Sequence, residues 1–236
     1  VPNYITSLAT HLWPEGGVED YRMLFINGYF DDAGTDQHSN VQTMAGYVGT
    51  IEQWRNFIPR WNALLKDNGL SYFHAYRFSQ SKPPYDTWST EDKRQFIADA
   101  ADILKRGVIV GMSVILRIDD YKQVYKAGPR IRKRQLDTKR GLCFRVLSSR
   151  LAKLLEQNRR SHDARLHFVL DAGAPNSGDV IRIHNEFKAF ALAKRTSLTV
   201  GGMDFEWAEE CGPLQAADLF AFGSKQNSQN LVEGFP

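Results

Sequence analysis

Two runs of strand-forming residues in this chain each end on a carboxylate, and the segment after each run limits the folds open to it. The first, Arg22 to Asp31, closes on MLFINGYFD and passes into the turn-like cluster DDAGT. The second, Arg165 to Asp171 (RLHFVLD), leads through the loop AGAPNSG into an amphipathic helix over about Asp179 to Lys194. Strand, acid, loop and helix make an α/β unit, and in such sheets sites form outside the strand ends.

The rest of the chain supplies the remaining layers. VQTMAGYVG (Val41 to Gly49) reads as a second strand, joined to the first as an antiparallel hairpin. Thr50 is an N-cap with Glu52 in the first turn, and Trp54, Phe57, Trp61, Leu64 and Leu65 come after it at helical spacing, with Pro59 as a kink. SQSKPPYDTWS reads as a mobile loop, followed by a capped helix from about Thr90 to Arg106. Val108 to Ile118 (VIVGMSVILRI) is almost wholly apolar, which predicts a central strand covered on both faces. A short helix opens at Asp119 and Asp120, and a longer one precedes Asn158. SLTVGGMDF is the last strand, and Pro213 starts a helix reaching about Lys225, with a polar tail that frays after Gln226. One domain over 1–226 with a tail at 227–236 is the expected organisation.

With 42% hydrophobic and 24% charged residues the composition is that of a folded globular chain, so whole-chain disorder is excluded. No stretch is apolar for long enough to span a bilayer, and residues 1–20 lack the layout of a signal peptide, which predicts a cytoplasmic protein with no membrane partner. Cys143 and Cys211 have no partner pattern and read as reduced thiols. The net charge of +3 permits an anionic partner without requiring one.

Three acids stand where structure alone does not readily explain them. Asp31 and Asp171 end strands. Asp218 falls between the directions of Leu214 and Phe222 on the apolar face of its helix, where a lone carboxylate costs several kcal/mol unless paired or hydrogen-bonded. Gln215, one turn earlier, projects near the same face and is placed to hold Asp218 or a ligand. Carboxylates gathered from distant parts of a chain suit hard divalent cations, and a metal pair so held acts on phosphodiesters. In a regular strand Asp31 and Asp32 face opposite sides, so both enter one site only if a turn begins at Asp32. His74 is open to two readings, a buried structural imidazole or a group that moves a proton near the site.

The segment GYFDDAGT resembles the tyrosine-x-Asp-Glu-Ser-Gly opening of the family called domain of unknown function 3800, and LQAADLFAF resembles its closing Q-x-x-D helix. FHAYRF and FVLD fit in order and spacing, so the resemblance spans most of residues 22–226. It implies a ribonuclease H-like mixed sheet flanked by helices, with helical insertions. It also implies that Asp31, Asp171 and Asp218 bind Mg²⁺ or Mn²⁺, with Gln215 beside them. Asp32 stands where the family has Glu and keeps a carboxylate; Ala33 stands where it has Ser and loses a hydroxyl. A fourth acid is not evident among Asp119, Glu156, Glu206, Glu209 and Glu210.

Arg130, Arg132, Lys133, Arg134, Lys139 and Arg140 form a basic segment in which Asp137 is the only acid, read as a solvated helix start or as a source of phosphate contacts without sequence readout. Phosphatases of the haloacid-dehalogenase type need acids two apart, and here Asp32 comes directly after Asp31. Neither a P-loop nor a G-x-S-x-G motif occurs. The sequence therefore leads to a divalent-metal-dependent nuclease of RNA or DNA with Asp31, Asp32, Asp171, Asp218, Gln215 and His74 at its site. The alternative is a non-catalytic scaffold of the same fold that binds nucleic acid or protein.

Overall fold

In the computed structural model, residues 24–35, 39–108, 110–127, 135–157, 164–194 and 198–233 are described, with 231–233 as backbone alone. Elements run in the order β1 (Leu24–Ala33), β2 (Val41–Thr50), α1 (Ile51–Asp67), α2 (Ala75–Ser79), α3 (Thr90–Gly107), β3 (Val110–Arg117) and α4 (Ile118–Asp120), which continues as a π-helical turn, Tyr121–Lys126. Then come α5 (Lys139–Gln157), β4 (Ala164–Asp171), α6 (Ser177–Lys194), β5 (Leu198–Glu206), a 3-10 turn (Ala208–Glu210) and α7 (Gly212–Glu233). The five strands form one sheet in the order β3-β2-β1-β4-β5. β1 pairs antiparallel with β2 and β2 with β3, while β1 with β4 and β4 with β5 run parallel. The architecture is thus the expected mixed α/β sheet with helices on both faces, and α1 to α3 are helical insertions between two strands.

Side-chain alternation divides the core. Tyr29 and Val169 face one side, where they pack with Trp54, Phe57 and Trp61 of α1 and Leu214 of α7. Ile26, Phe30 and Phe168 face the other, against Phe144, Leu147 and Leu151 of α5 and Val180 and Ile183 of α6. Full burial of each large side chain stabilises the fold by roughly 1.5–3 kcal/mol. α1 begins as its sequence predicts: the Thr50 hydroxyl accepts from the Gln53 N–H, and the Gln53 side chain accepts from the Thr50 N–H.

Three expectations are corrected. β3 is an edge strand, not a central one. Val110, Met112, Val114 and Leu116 are half-buried while Gly111, Ser113, Ile115 and Arg117 are exposed, so two small residues and a cation mark an open face that an apolar run conceals. The loop after α2 is pinned rather than loose: Tyr85 is buried in an aromatic cluster with Phe73, Phe78 and Trp88, and Lys93 donates to the Phe78 carbonyl and the Ser81 hydroxyl. α7 continues past Gln226 to Glu233, because polar residues do not break a helix and Ser228 returns its hydroxyl to the Ser224 carbonyl. Cys143 and Cys211 are both free and buried. Among the described residues no helix is long and apolar enough to cross a membrane.

α5 and α6 are locked at their starts. Thr138 donates its N–H and hydroxyl to Asp179 and accepts from the Gly141 N–H. A Cβ on Gly141 would lie 2.0 Å from the Asp179 carboxylate, so this close approach requires glycine. Beside it, Asp137 accepts from Arg145 at 2.6 and 2.9 Å and from Arg182 at 2.7 Å. Burial pushes the Asp137 carboxyl up, but the two guanidinium groups outweigh it and hold the group below the usual carboxylate range. A carboxyl with a depressed folded pKa contributes stability that is present above its unfolded value and lost as pH falls through the folded one. Urea unfolding of Asp137→Asn should therefore show a loss of about 2–3 kcal/mol at neutral pH. The loss should begin to shrink as pH falls below the ordinary carboxylate value of about 3.9 and vanish only below the depressed folded one; a loss independent of pH would contradict the ion-pair account.

Candidate active site

The β1–β4 register brings the first two acids together. Tyr29 lies opposite Val169 and Phe30 opposite Leu170. One step on, Asp31 shares the side of Tyr29 and Asp171 the side of Val169, so both carboxylates leave neighbouring parallel strands on the face covered by α1 and α7. α7 brings Asp218 to the same place, and the three line one pocket of about 390 Å³ at the carboxyl end of these strands.

The electrostatics of the pocket are unbalanced. Burial drives the Asp31 carboxyl well above its ordinary value, and repulsion from Asp218, Asp171 and Asp32 adds to this; the Asp32 N–H, 2.7 Å from Asp31 Oδ1, opposes it. Asp171 is raised by burial and eased by N–H groups of Gly173 and Ala208. The apolar-face position of Asp218 is made tolerable by hydrogen bonds: Oδ2 accepts from the Ala75 N–H at 2.8 Å and lies 3.2 Å from His74 Nδ1. That bond to Asp218 raises the His74 pKa against the lowering effect of burial. With a side chain 42% exposed and lining the pocket, His74 is not a buried structural imidazole.

Asp32 lies on the opposite face of β1, although it too is among the residues that line the pocket. β1 stays regular through Ala33, so no turn frees Asp32, and its carboxylate accepts from Arg140 Nε at 2.6 Å, both side chains being almost wholly buried. Burial pushes the Asp32 pKa up to about 6 despite Arg140. Arg140 is corrected accordingly. It also donates to the Asp171, Ala174 and Pro175 carbonyls and the Ser177 hydroxyl, so it braces the loop after β4 and is no surface phosphate contact. Lys139 is half-buried in the first turn of α5, and Arg130, Arg132, Lys133 and Arg134 lie outside the described residues.

Gln215 is corrected too. Its Oε1 accepts from Trp61 Nε1 at 3.0 Å and from the Phe73 N–H at 3.1 Å, and its Nε2 donates to the Ala208 carbonyl at 2.9 Å. The amide is spent on holding α1, the strand-like entry to α2 and the turn before α7 together, and none of it is left for a ligand. Of the five possible fourth acids, Glu209 lines the pocket and adds to the negative field on Asp171. Glu206 sits opposite Asp171 in the β4–β5 register, Glu156 lines a separate hollow between α5 and α6, and neither Asp119 nor Glu210 lines the acidic pocket. Tyr72 and Trp207 also line it, and sequence reasoning misses them because each is one aromatic among many. An aromatic close before a loop acid or histidine is the signal that could have found them.

Hard carboxylate oxygens of Asp31, Asp171 and Asp218, repelling one another in one pocket, fit a divalent cation in donor chemistry. Among the described residues no three His, Cys, Asp or Glu side chains already converge on one point as ligands, so binding would require these carboxylates to close up.

Substitutions at two of these side chains test the geometry. Gln215→Ala leaves a buried indole N–H, a buried backbone N–H and a carbonyl unpaired and should lower unfolding free energy by about 2–4 kcal/mol in urea; a loss under about 1 kcal/mol contradicts its bridging role. Asp31→Asn removes a carboxyl whose charged form is disfavoured by burial and then by its acidic neighbours, so in metal-free buffer at neutral pH it should raise the thermal midpoint. A thermal melt that falls instead would contradict the charge account.

No family model matches the chain, and no curated protein matches it. Among solved structures the chain is similar to the crystal structure of the ribonuclease H2 from Pyrococcus horikoshii OT3, with 10% identity and a TM-score of 0.44 over 89% of this chain and 81% of that one.

Proposed function

We propose that this protein is a divalent-metal-dependent nuclease that hydrolyses phosphodiester bonds of RNA or DNA. The observation that carries this reading is the convergence of Asp31, Asp171 and Asp218 from three separate elements on one pocket, where burial and mutual repulsion raise the Asp31 pKa. A surplus of carboxylates at strand ends, with no Lys or Arg among the described residues that line the pocket, is destabilising by itself. Such arrangements are characteristic of functional sites. The sequence resemblance to the domain of unknown function 3800 family points the same way.

In this reading Asp31, Asp171 and Asp218 hold Mg²⁺ or Mn²⁺. When bound, such a cation polarises the phosphodiester and stabilises charge on the leaving oxygen. The chain's own groups do the rest. Asp171 is aimed by the N–H groups of Gly173 and Ala208, and Asp218 by the Ala75 N–H. Asp218 orients His74 through Nδ1, which leaves Nε2 as the nitrogen for proton transfer. Asp32 and Gln215 act as positioning residues. Arg130, Arg132, Lys133 and Arg134 remain the proposed phosphate contacts, without sequence readout.

The non-catalytic scaffold is favoured by one observation, that among the described residues no three His, Cys, Asp or Glu side chains are already arranged to hold an ion. Cleavage assays decide between the two. Purified protein with Mn²⁺ or Mg²⁺ should cut at least one of single- or double-stranded RNA or DNA, chelation should stop it, and Asp218→Asn should reduce the rate at least about 100-fold. Absence of metal-dependent cleavage of all four would favour the scaffold, whereas full activity in Asp218→Asn would overturn the assignment of Asp218 to the site.

A further inference from the structure

We propose that the pocket takes unpaired nucleotides, with Trp207 and Tyr72 as platforms on which bases next to the reacting phosphate stack; this deepens the nuclease reading and rests on it. Trp207 is 58% exposed, an unusual position for the largest apolar side chain, and it lines the carboxylate pocket rather than the core. Its ring stands beside the acids. A Cβ placed on Gly173 would lie 3.0 Å from Asp171 Oδ2 and 3.5 Å from Trp207 Cζ3, so carboxylate and indole flank the same glycine. Tyr72 lines the same pocket, two residues before His74, and is half-buried.

The spacing of the two aromatics is fixed by Gln215. Its one amide grips the backbone N–H of Phe73, the residue after Tyr72, and the backbone carbonyl of Ala208, the residue after Trp207. Both platforms are therefore tied to α7, the helix that carries Asp218, and their backbones are ordered before any ligand arrives. Pre-ordered aromatic faces lose little freedom on binding.

These features select for chemistry that a duplex cannot offer. A base inside a duplex has both faces covered by its neighbours, whereas an unpaired base exposes a face that any aromatic ring can cover. The acids are also recessed: the Asp218 side chain is only 16% exposed, so a phosphate reaches it by entering the pocket with its flanking bases splayed onto the rim. Stacking of this kind is tolerant of sequence, which agrees with a site that has no base-reading motif.

Fluorescence anisotropy with labelled oligonucleotides on the full chain, read before cleavage in a Ca²⁺ buffer that offers the pocket's carboxylates a hard cation in place of Mg²⁺ or Mn²⁺, tests the idea. Single-stranded RNA or DNA should bind more tightly than the duplex of the same sequence. Trp207→Ala should weaken single-strand binding about tenfold, Tyr72→Ala by a similar factor, and Trp207→Phe by much less. Because no phosphate contact is lost, the slope of log Kd against log salt should be the same for Trp207→Ala and the parent. Equal binding of duplex and single strand, unchanged affinity in both alanine variants, or no binding of any oligonucleotide would overturn the proposal. A purely structural Trp207, which would also overturn it, would show as a lowered thermal midpoint with Phe no better than Ala. Failure of the nuclease reading alone would look different: stacking-dependent binding would stay intact without metal-dependent cleavage.

Discussion

The parallel pairing of β1 with β4 is the constraint on which the site depends. It sets two strands side by side with their carboxyl ends level, so that Asp31 and Asp171 emerge on one face without any special loop. Reversing either strand would send one carboxylate to the far end of the sheet. The antiparallel hairpin to β2 supplies the surface over which α7 crosses, and α7 in turn supplies Asp218. The repulsion among the three carboxylates is a consequence of this topology, and the sheet and the helices around it must hold against it.

Two buried polar side chains do most of that holding, one on each side of the sheet. Arg140, entering from α5, neutralises Asp32 and gathers carbonyls of the loop after β4. Gln215, from α7, gathers the segments carrying Tyr72 to His74 and Trp207 to Glu209. Neither touches the place where a substrate phosphate would sit, yet each fixes a wall of it. The adjacent residues Asp31 and Asp32 thereby have separate roles: both line the pocket, but only Asp32 is paired with Arg140, which anchors the pocket's support.

Much of this is legible in the sequence, and the failures have physical causes. Alternation predicts that Asp31 and Asp32 part company, and helical direction predicts that Asp218 lies on an apolar face needing partners; both hold because strand and helix periods are local properties. The partners themselves are not local. That Arg140 turns inward, that Gln215 is fully bonded and that Glu209 is the acid lining the pocket depend on contacts between residues far apart in the chain. A basic run or a polar residue beside an Asp carries no mark of which way it faces. β3 misleads for a related reason: an apolar strand reads as central unless its alternate positions, here Gly111, Ser113 and Arg117, are weighed as an open face.

The central claim is that Asp31, Asp171 and Asp218 form one cation site. A crystal soaked in Mn²⁺ and measured at an anomalous wavelength tests it most directly. The account predicts an anomalous peak bonded to oxygens of all three carboxylates, which close up around it. A soaked crystal with no peak between them, or with manganese held elsewhere on the surface, would contradict it.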